Sequence, residues 1–288
     1  MGFYFITTEH LEDRIWFKDE EDYKTGMNYV AVISFLLGIK VVAFILMSNH
    51  VHFLLICRSR KEAELFINEY KTRYSKYYCN KYGEGELLRR NGVDIQEIDL
   101  EGESLERIIA YILMNSVAAN ICLTASDYPW GSGGVAFNIK QKKGRKLGDM
   151  SLREKRRKLH STAELPSEWI FLDDGYIDPS SYVYEEYVER LFRTPKRMNY
   201  FLINSSKAKK TLAENEHMVP SFRDQVVVAA ISDLCRSLFG AGNLADLDER
   251  QMVELVKQIK RCFYSDVNQI ARVTGRSYSE VAGMLDHY

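Results

Sequence analysis

The sequence predicts an α+β fold in its N-terminal half, followed by a mainly helical C-terminal region. Segments of strand and helix character alternate between residues 4 and 120, an order that favours helices packed on one face of a sheet. From residue 221 to residue 288 the hydrophobic pattern is almost wholly helical. Hydrophobic residues make up 46% of the 288-residue chain and charged residues 27%, which is typical of a globular protein.

The first elements follow from local patterns. Residues 4–8 form the first predicted strand. A helix is predicted from the acidic residues 19–23, whose charge suits the positive end of a helix dipole, to Gly38, a natural C-terminal cap. Residues 41–56 are an apolar, β-branched run and are predicted to form one buried strand, because the run is too short to span a membrane.

The later elements alternate in the same way. Residues 61–82 have a helical pattern that ends at glycines, and a short strand is predicted around residues 93–95. Another helix is predicted over residues 104–120, with Ser104 as its N-cap. Composition changes after Trp130, so we predict three parts: residues 1–138, a basic and mixed helical region at 139–215, and a helical domain at 216–288.

Two histidines near the end of the apolar run are the first candidate functional residues. His50 and His52 are two residues apart, so on a strand their side chains point to the same face. Two imidazoles on a hydrophobic strand are costly to bury unless something binds them. The pair alone is consistent with zinc, with iron or with a buried hydrogen-bonded pair.

The helix predicted over residues 104–120 carries two further candidates. Tyr111 and Asn115 are four residues apart and therefore lie on one helical face. Either could be a satisfied polar residue of the core. Together with the histidines they form a testable site, in which the Asn115 carbonyl is a third metal ligand and the Tyr111 hydroxyl lies beside the metal. A tyrosine in that position can attack a phosphodiester, although its ordinary pKa of about 10 requires activation.

Three segments, residues 44–55, 110–119 and 127–132, follow one another along the chain. In this order they resemble the motifs of the REP-associated tyrosine transposases, which are single-tyrosine HUH endonucleases related to insertion-sequence transposases. Residues 44–55, FILMSNHVHFLL, resemble the "MPNHVHLL" signature of that family. Residues 110–119, AYILMNSVAA, are similar to "RYIELNPVRAG", and residues 127–132, DYPWGS, to "DYRWSS". The resemblance covers residues 1–138 approximately, and the loops of residues 9–14 and 85–91 depart from the family pattern.

The resemblance implies a ferredoxin-like antiparallel sheet with helices packed on it, the core of the HUH endonucleases. It implies that His50 and His52 bind Mg²⁺ or Mn²⁺, that Asn115 completes the metal site and that Tyr111 is the nucleophile. It also implies cleavage of single-stranded DNA beside hairpins through a 5′-phosphotyrosine, with a 3′ hydroxyl that can reverse the reaction. The family includes monomers and homodimers.

Basic residues outside this site are candidates for contacts with DNA phosphates. In the helix over residues 61–82, basic residues interleave with tyrosines in a pattern that suits either a stacking groove for single-stranded DNA or a core with a wet face. The last residues, 266–285, predict helix, glycine turn and helix, which suits either a duplex-reading unit or two packed helices. The candidates are Arg73, Lys76, Lys142, Lys143, Arg145, Lys146, Arg272 and Arg276.

Charge and cysteine usage bound the function further. The net charge of −1 counts against a dedicated nucleic-acid binder, although the local basic run of residues 140–158 can still contact phosphates. Five scattered cysteines without a Cys-x-x-Cys pair favour a reducing compartment, so we expect a cytoplasmic, nucleoid-associated protein without a membrane partner. Two alternatives remain: a non-cleaving DNA-binding regulator of repeats, and an RNA-binding module with structural histidines.

Overall fold

The structure, a computed structural model, describes residues 1–8, 14–84, 93–138, 143–205, 224–263 and 265–286. Its strands are β1 (Gly2–Thr7), β2 (Lys40–Leu46), β3 (Val51–Cys57), β4 (Asp94–Ile98), β5 (Gly144–Lys146) and β6 (Ile170–Leu172). Its helices are α1 (Glu20–Leu37), α2 (Arg60–Tyr82), α3 (Ser104–Leu113), α4 (Asn115–Ala118), α5 (Leu152–Leu159), α6 (Glu185–Phe192), α7 (Pro195–Ile203), α8 (Asp224–Phe239), α9 (Glu249–Phe263), α10 (Val267–Thr274) and α11 (Tyr278–Asp286).

The first four strands form one antiparallel sheet in the order β2-β3-β1-β4. Strand β3 pairs with β1 and with β2, and β4 pairs with β1 on its other side. With the chain order β1-α1-β2-β3-α2-β4, this is the ferredoxin-like arrangement. The predicted fold class, an antiparallel sheet with packed helices followed by a helical C-terminal region, is confirmed.

The apolar run of residues 41–56 is two strands and not one. Strands β2 and β3 form a hairpin that reverses at residues 47–50. Both strands are buried along nearly their whole length, so hydrophobicity stays high up to the turn on either side. The prediction of a single strand is therefore wrong, and the local signal for the reversal is the pair of turn-forming residues Ser48 and Asn49.

Helices α1 and α2 cover one face of the sheet. The carboxylate of Asp19 accepts a hydrogen bond from the backbone N–H of Asp22 at 3.0 Å and caps α1, which ends at Gly38 with a left-handed φ of 63°. From α2, Tyr70 and Tyr74 are fully buried under the sheet. For these two tyrosines the core interpretation is confirmed, and they are not part of a stacking groove.

The helix predicted over residues 104–120 is shorter and interrupted. Helix α3 ends at Leu113, Met114 takes a non-helical turn, and the single turn of α4 follows. Glu103 occupies the N-cap position of α3, while the hydroxyl of Ser104 donates backwards to the carbonyl of Glu101 at 2.7 Å. The prediction of Ser104 as the N-cap is therefore wrong.

The outer edge of β2 is covered by later parts of the chain. Gly131 bridges Ile45, and the backbone N–H of Tyr184 donates to the carbonyl of Val41 at 2.7 Å. A Cβ at residue 131 would lie 2.7 Å from the carbonyl oxygen of Phe44, so only glycine allows this close approach.

The rest of the chain adds two layers. Residues around Leu147 and Phe171 pack on the outer side of α1, and α6 and α7 extend the main core. Helices α8–α11 enclose a separate hydrophobic cluster. As predicted, two of them are joined at a glycine, Gly275 with φ of 70°, and Ser277 accepts the backbone N–H of Glu280 at 3.3 Å. In the ranges that the structure describes, no helix is long and apolar enough to cross a membrane.

Candidate active site

The two histidines are neighbours at the point where the hairpin turn enters β3. His50 is the last residue of the turn and His52 the second residue of β3, and their ring centroids are 5.0 Å apart at an angle of 81°. His52 is fully buried and stacks on Phe5 of β1, at 5.7 Å and 8°. His50 is half-buried, and its Nδ1 lies 3.0 Å from Oδ1 of Asn49, which leaves Nε2 as the nitrogen that faces away from Asn49.

Helix α3 brings Tyr111 to the same place. The ring of Tyr111 lies edge-on to His52, with centroids 5.8 Å apart at 83°, and edge-on to Phe5 at 5.9 Å and 90°. Tyr111 is half-buried, so part of its surface is open to solvent. Of the four residues predicted to form the site, the structure therefore brings these three rings together.

Asn115 follows the break after α3 and is nearly fully buried. Its Nδ2 donates to the backbone carbonyls of Tyr111 at 2.9 Å and of Ile112 at 3.2 Å. These bonds satisfy carbonyls at the C-terminal end of α3 and fix the orientation of the amide. If Asn115 binds a metal, its Oδ1 is the ligand atom, because Nδ2 is held by the helix.

The site lies on one defined face of the sheet. Adjacent residues of β3 point to opposite faces: Phe53 contacts Phe66 and Tyr70 of α2 at 5.2 and 5.4 Å, whereas His52 contacts Tyr111 of α3. Helices α1 and α2 therefore cover the face of the sheet opposite to the site. The rings of His50, His52 and Tyr111 face the side of α3.

The donor set is compatible with one small divalent ion. A metal–nitrogen bond of ~2.1 Å allows two rings with centroids 5.0 Å apart to reach the same ion. Two imidazoles and an amide oxygen leave positions for phosphate oxygens, which Mg²⁺ and Mn²⁺ prefer. Among the described residues, no group of three or more His, Cys, Asp and Glu side chains could hold a metal.

The basic candidates on α2 lie behind the sheet. Arg73 forms an ion pair with Glu69 at 3.2 Å, and Lys76 is exposed. Arg73 also lines an open groove of about 440 Å³, together with Arg156 and His160. Because α2 packs on the face opposite α3, these residues are not part of the Tyr111 site.

The basic candidates of residues 143–146 lie at the small two-stranded sheet of β5 and β6. Lys143, Arg145 and Lys146 are all exposed, and Arg145 forms an ion pair with Glu154 of α5. Lys142 lies outside the described residues. This two-stranded sheet is on the α1 side of the molecule, because the segment that contains it packs on α1.

The two basic candidates of the C-terminal helices are engaged in ion pairs. Arg276 pairs with Glu249 at 3.0 Å and with Glu280 at 3.3 Å. Arg272 is held by the buried carboxylate of Asp224 through two hydrogen bonds of 2.9 and 3.2 Å. The guanidinium of Arg272 therefore has a structural partner inside the protein.

Two contributors to the site were missed by the sequence reasoning. Phe5 stacks on His52, and its place on an alternating strand was the available signal. Asp224 accepts a hydrogen bond from the hydroxyl of Ser48, in the turn before His50. The two residues are 176 positions apart, so no local pattern could have connected them.

Comparison with known proteins gives a family match for part of the chain. Residues 11–112 match the family model described as "Transposase IS200 like", a range that includes both histidines and Tyr111 but ends before Asn115. The chain is also similar to a solved structure described as "Structure of the REP associates tyrosine transposase bound to a REP hairpin", at 14% identity and a TM-score of 0.36, over 46% of this chain and 76% of that chain. No curated protein sequence matches the chain. The resemblance found in the sequence is confirmed at the level of this family match, which covers residues 11–112.

Proposed function

We propose that this IS200-like transposase domain is a metal-dependent endonuclease and strand transferase for single-stranded DNA, with Tyr111 as its nucleophile. The carrying observation is the half-buried Tyr111 ring at 5.8 Å from His52, on the sheet face away from α1 and α2. In the proposed reaction the Tyr111 oxygen forms a bond to phosphorus while the bond from phosphorus to the 3′ oxygen breaks. The tyrosine proton is lost and the 3′ oxygen gains one, which leaves a 5′-phosphotyrosine and a 3′ hydroxyl.

In this proposal His50, His52 and the Oδ1 of Asn115 hold Mg²⁺ or Mn²⁺, the ions that family members use. The ion would polarise the scissile phosphate and neutralise the charge that develops there. The protein's own contribution is orientation. Stacking on Phe5 fixes the plane of the His52 ring, and the bonds from Nδ2 of Asn115 to α3 couple that amide to the helix that carries Tyr111.

The proposed substrate is single-stranded DNA with a hairpin or a palindromic repeat. Lys143, Arg145, Lys146, Arg73 and Lys76 would contact phosphates away from the cleavage point, because they lie on the α1 and α2 side of the sheet. Contacts of this kind strengthen binding without reading sequence. Replacing one such basic residue would reduce the slope of the logarithm of affinity against the logarithm of salt concentration by about one.

The C-terminal helices support a second part of the proposal, which is contact with duplex DNA. The first turn of α11 is exposed at Ser277, Tyr278, Ser279 and Glu280, as a helix that enters a groove requires. Arg276 would take part only after release from its two glutamates. Such a protein would act on the nucleoid in the cytoplasm, as a monomer or as a homodimer. The alternative function, a non-cleaving regulator of repeats, would bind the same DNA without cutting it.

The experiment is a covalent-adduct assay with the full chain, a 3′-labelled hairpin single strand and Mn²⁺. The unsubstituted protein should form an adduct that survives denaturation, and Tyr111→Phe should form none. Tyr200→Phe is the matched control, because Tyr200 is 62% exposed on α7 and lies outside the site. An adduct that persists in Tyr111→Phe would refute the assignment of the nucleophile. Specific binding by the unsubstituted protein without cleavage in any divalent metal would favour the regulator.

A further inference from the structure

The turn that presents His50 is held from outside by the C-terminal helices. Ser48, in the middle of the turn, is 6% exposed, and its hydroxyl donates to the carboxylate of Asp224. Asp224 is the first residue of α8 and is 2% exposed. The helical module, α8–α11, thus contacts the turn of the candidate metal site through the buried side chain of Asp224.

Asp224 is itself rigidly held within its module. Its Oδ1 accepts from Nε2 of Gln269 at 2.9 Å and from Nη2 of Arg272 at 3.2 Å, and its Oδ2 accepts from Nε of Arg272 at 2.9 Å. Burial by itself would raise the pKa of Asp224, but the charge of Arg272 and the hydrogen bonds hold it below its ordinary value. The carboxylate that meets Ser48 is therefore charged and fixed in position.

The opposite side of the turn is fixed by the segment that precedes α1. The carbonyl of Ser48 accepts from the backbone N–H groups of Trp16 at 2.8 Å and of Phe17 at 3.1 Å. Across the turn, the backbone N–H of Met47 donates to the carbonyl of His50 at 2.8 Å. Since only Asn49 separates Ser48 from His50, a displacement of Ser48 moves the imidazole as well.

A second contact joins α8 to the segment that contains Phe17. Nε2 of Gln225, the next residue of α8, donates to the carbonyl of Phe17 and to the hydroxyl of Tyr23, the latter at 3.0 Å. Two consecutive residues of α8 thus hold both the histidine turn and the segment that supports it.

From this arrangement we infer that Asp224 is a positioning residue of the candidate active site, which acts through Ser48 to hold the turn that carries His50. The C-terminal helices then support the candidate metal site, in addition to their proposed contact with duplex DNA. The inference rests on the proposed function for its effect on metal binding. The contact between Asp224 and Ser48, here called the clamp, can be tested by its effect on the turn without measuring any reaction.

The test compares the full chain with its Ser48→Ala variant, which removes one hydroxyl and leaves the pair of Asp224 and Arg272 intact. Hydrogen exchange should become faster at the backbone N–H groups of Met47, Trp16 and Phe17. The affinity for Mn²⁺, followed by the electron paramagnetic resonance of the free ion, should fall on the order of 10-fold, the usual effect of losing a group that orients a metal ligand.

The matched control is Ser237→Ala, because the hydroxyl of Ser237 bonds only within α8, to the carbonyl of Leu234 at 3.3 Å, and is exposed. It should change neither quantity. Gln225→Ala should accelerate exchange at the same amides to a smaller extent, and it keeps the test decisive if Ser48→Ala does not fold.

The outcomes separate the inference from the proposed function. Unchanged exchange in both Ser48→Ala and Gln225→Ala would overturn the inference, whatever the protein does to DNA. Failure of the unsubstituted protein to bind Mn²⁺, with faster exchange in Ser48→Ala, would overturn the metal site and support the clamp.

Discussion

The ion pair between Asp224 and Arg272 makes a quantitative prediction about the stability of the C-terminal module. Asp224→Asn keeps the shape of the side chain and removes its charge. Breaking a buried pair in this way costs about 3–5 kcal/mol, since the remaining charge is left without its partner. The Arg272 side chain keeps 25% of its surface exposed, so water relieves part of that cost. We therefore expect a loss at the lower end, ~3 kcal/mol.

The assay is urea unfolding followed by two signals. The three tryptophans of the chain are Trp16, Trp130 and Trp169, so fluorescence reports on the sheet and the layer packed on it. Circular dichroism reports on all helices, including α8–α11. Asp224→Asn should move part of the circular dichroism transition to lower urea than the fluorescence transition.

The control is Asp233→Asn on the same helix. Asp233 is 82% exposed and lies 4.0 Å from Arg236, so its loss should cost less than about 0.5 kcal/mol. Joint replacement by Asp224→Leu and Arg272→Met should recover much of the loss, because it leaves no unpaired charge inside. Equal effects of Asp224→Asn and Asp233→Asn would refute the reasoning.

Three further predictions concern stability. The hydroxyl of Tyr70 is buried without a hydrogen-bond partner in the described structure, whereas that of Tyr74 donates to a backbone carbonyl at 2.8 Å. Tyr70→Phe should therefore leave stability unchanged or raise it, and Tyr74→Phe should lower it by ~1 kcal/mol, both measured by urea unfolding. Gly26→Ala should lower the melting temperature by overpacking, since its Cβ would meet a phenylalanine ring atom at 2.6 Å, at a cost of about 1–3 kcal/mol. Gly283→Ala, on an open helix position, should raise it; a result in the reverse order would contradict the packing described here. The folded pKa of Asp224 lies below its unfolded value, so its contribution is present above pH ~4 and is lost as the pH falls. The unfolding free energies of the unsubstituted protein and of Asp224→Asn should thus converge between pH 7 and pH 3, and a constant difference would speak against a charge effect.

The sequence predicted the sheet and its helices because those elements are periodic or strongly apolar over many residues. It failed where a short-range signal was masked by burial. The strands on either side of the turn at Ser48 are buried along nearly their whole length, so the apolar run continues up to the turn. The apolar pattern resumes at Val117 after the break at Met114, so hydrophobic periodicity alone does not show the break. At that break the side chain of Asn115 donates hydrogen bonds to the backbone carbonyls of Tyr111 and Ile112. In a longer helix such carbonyls accept from backbone N–H groups, and hydrophobic periodicity does not reveal this competition.

The candidate site was predictable in part. His50 and His52 were predicted to be neighbours on one strand; their rings are neighbours, but His50 lies in the turn before β3. Tyr111 was predicted from its helix and from the family motifs. The clamp through Asp224 was not predictable, because it depends on how a separate helical cluster docks. Arg272, a candidate for DNA contact by charge alone, is used to hold that clamp.

The covered edge of β2 limits how two copies of the chain could associate. An exposed edge strand is a template for pairing with another chain. In β2, however, the backbone N–H of Leu46 already donates to the carbonyl of Trp130, and the carbonyls of Phe44 and Val41 accept from the backbone N–H groups of Ser132 and Tyr184. The opposite end of the sheet is β4, a strand of five residues that carries Asp94 and Glu97. Two copies aligned there would oppose like charges. A continuous intermolecular sheet is therefore disfavoured at both ends of the described sheet.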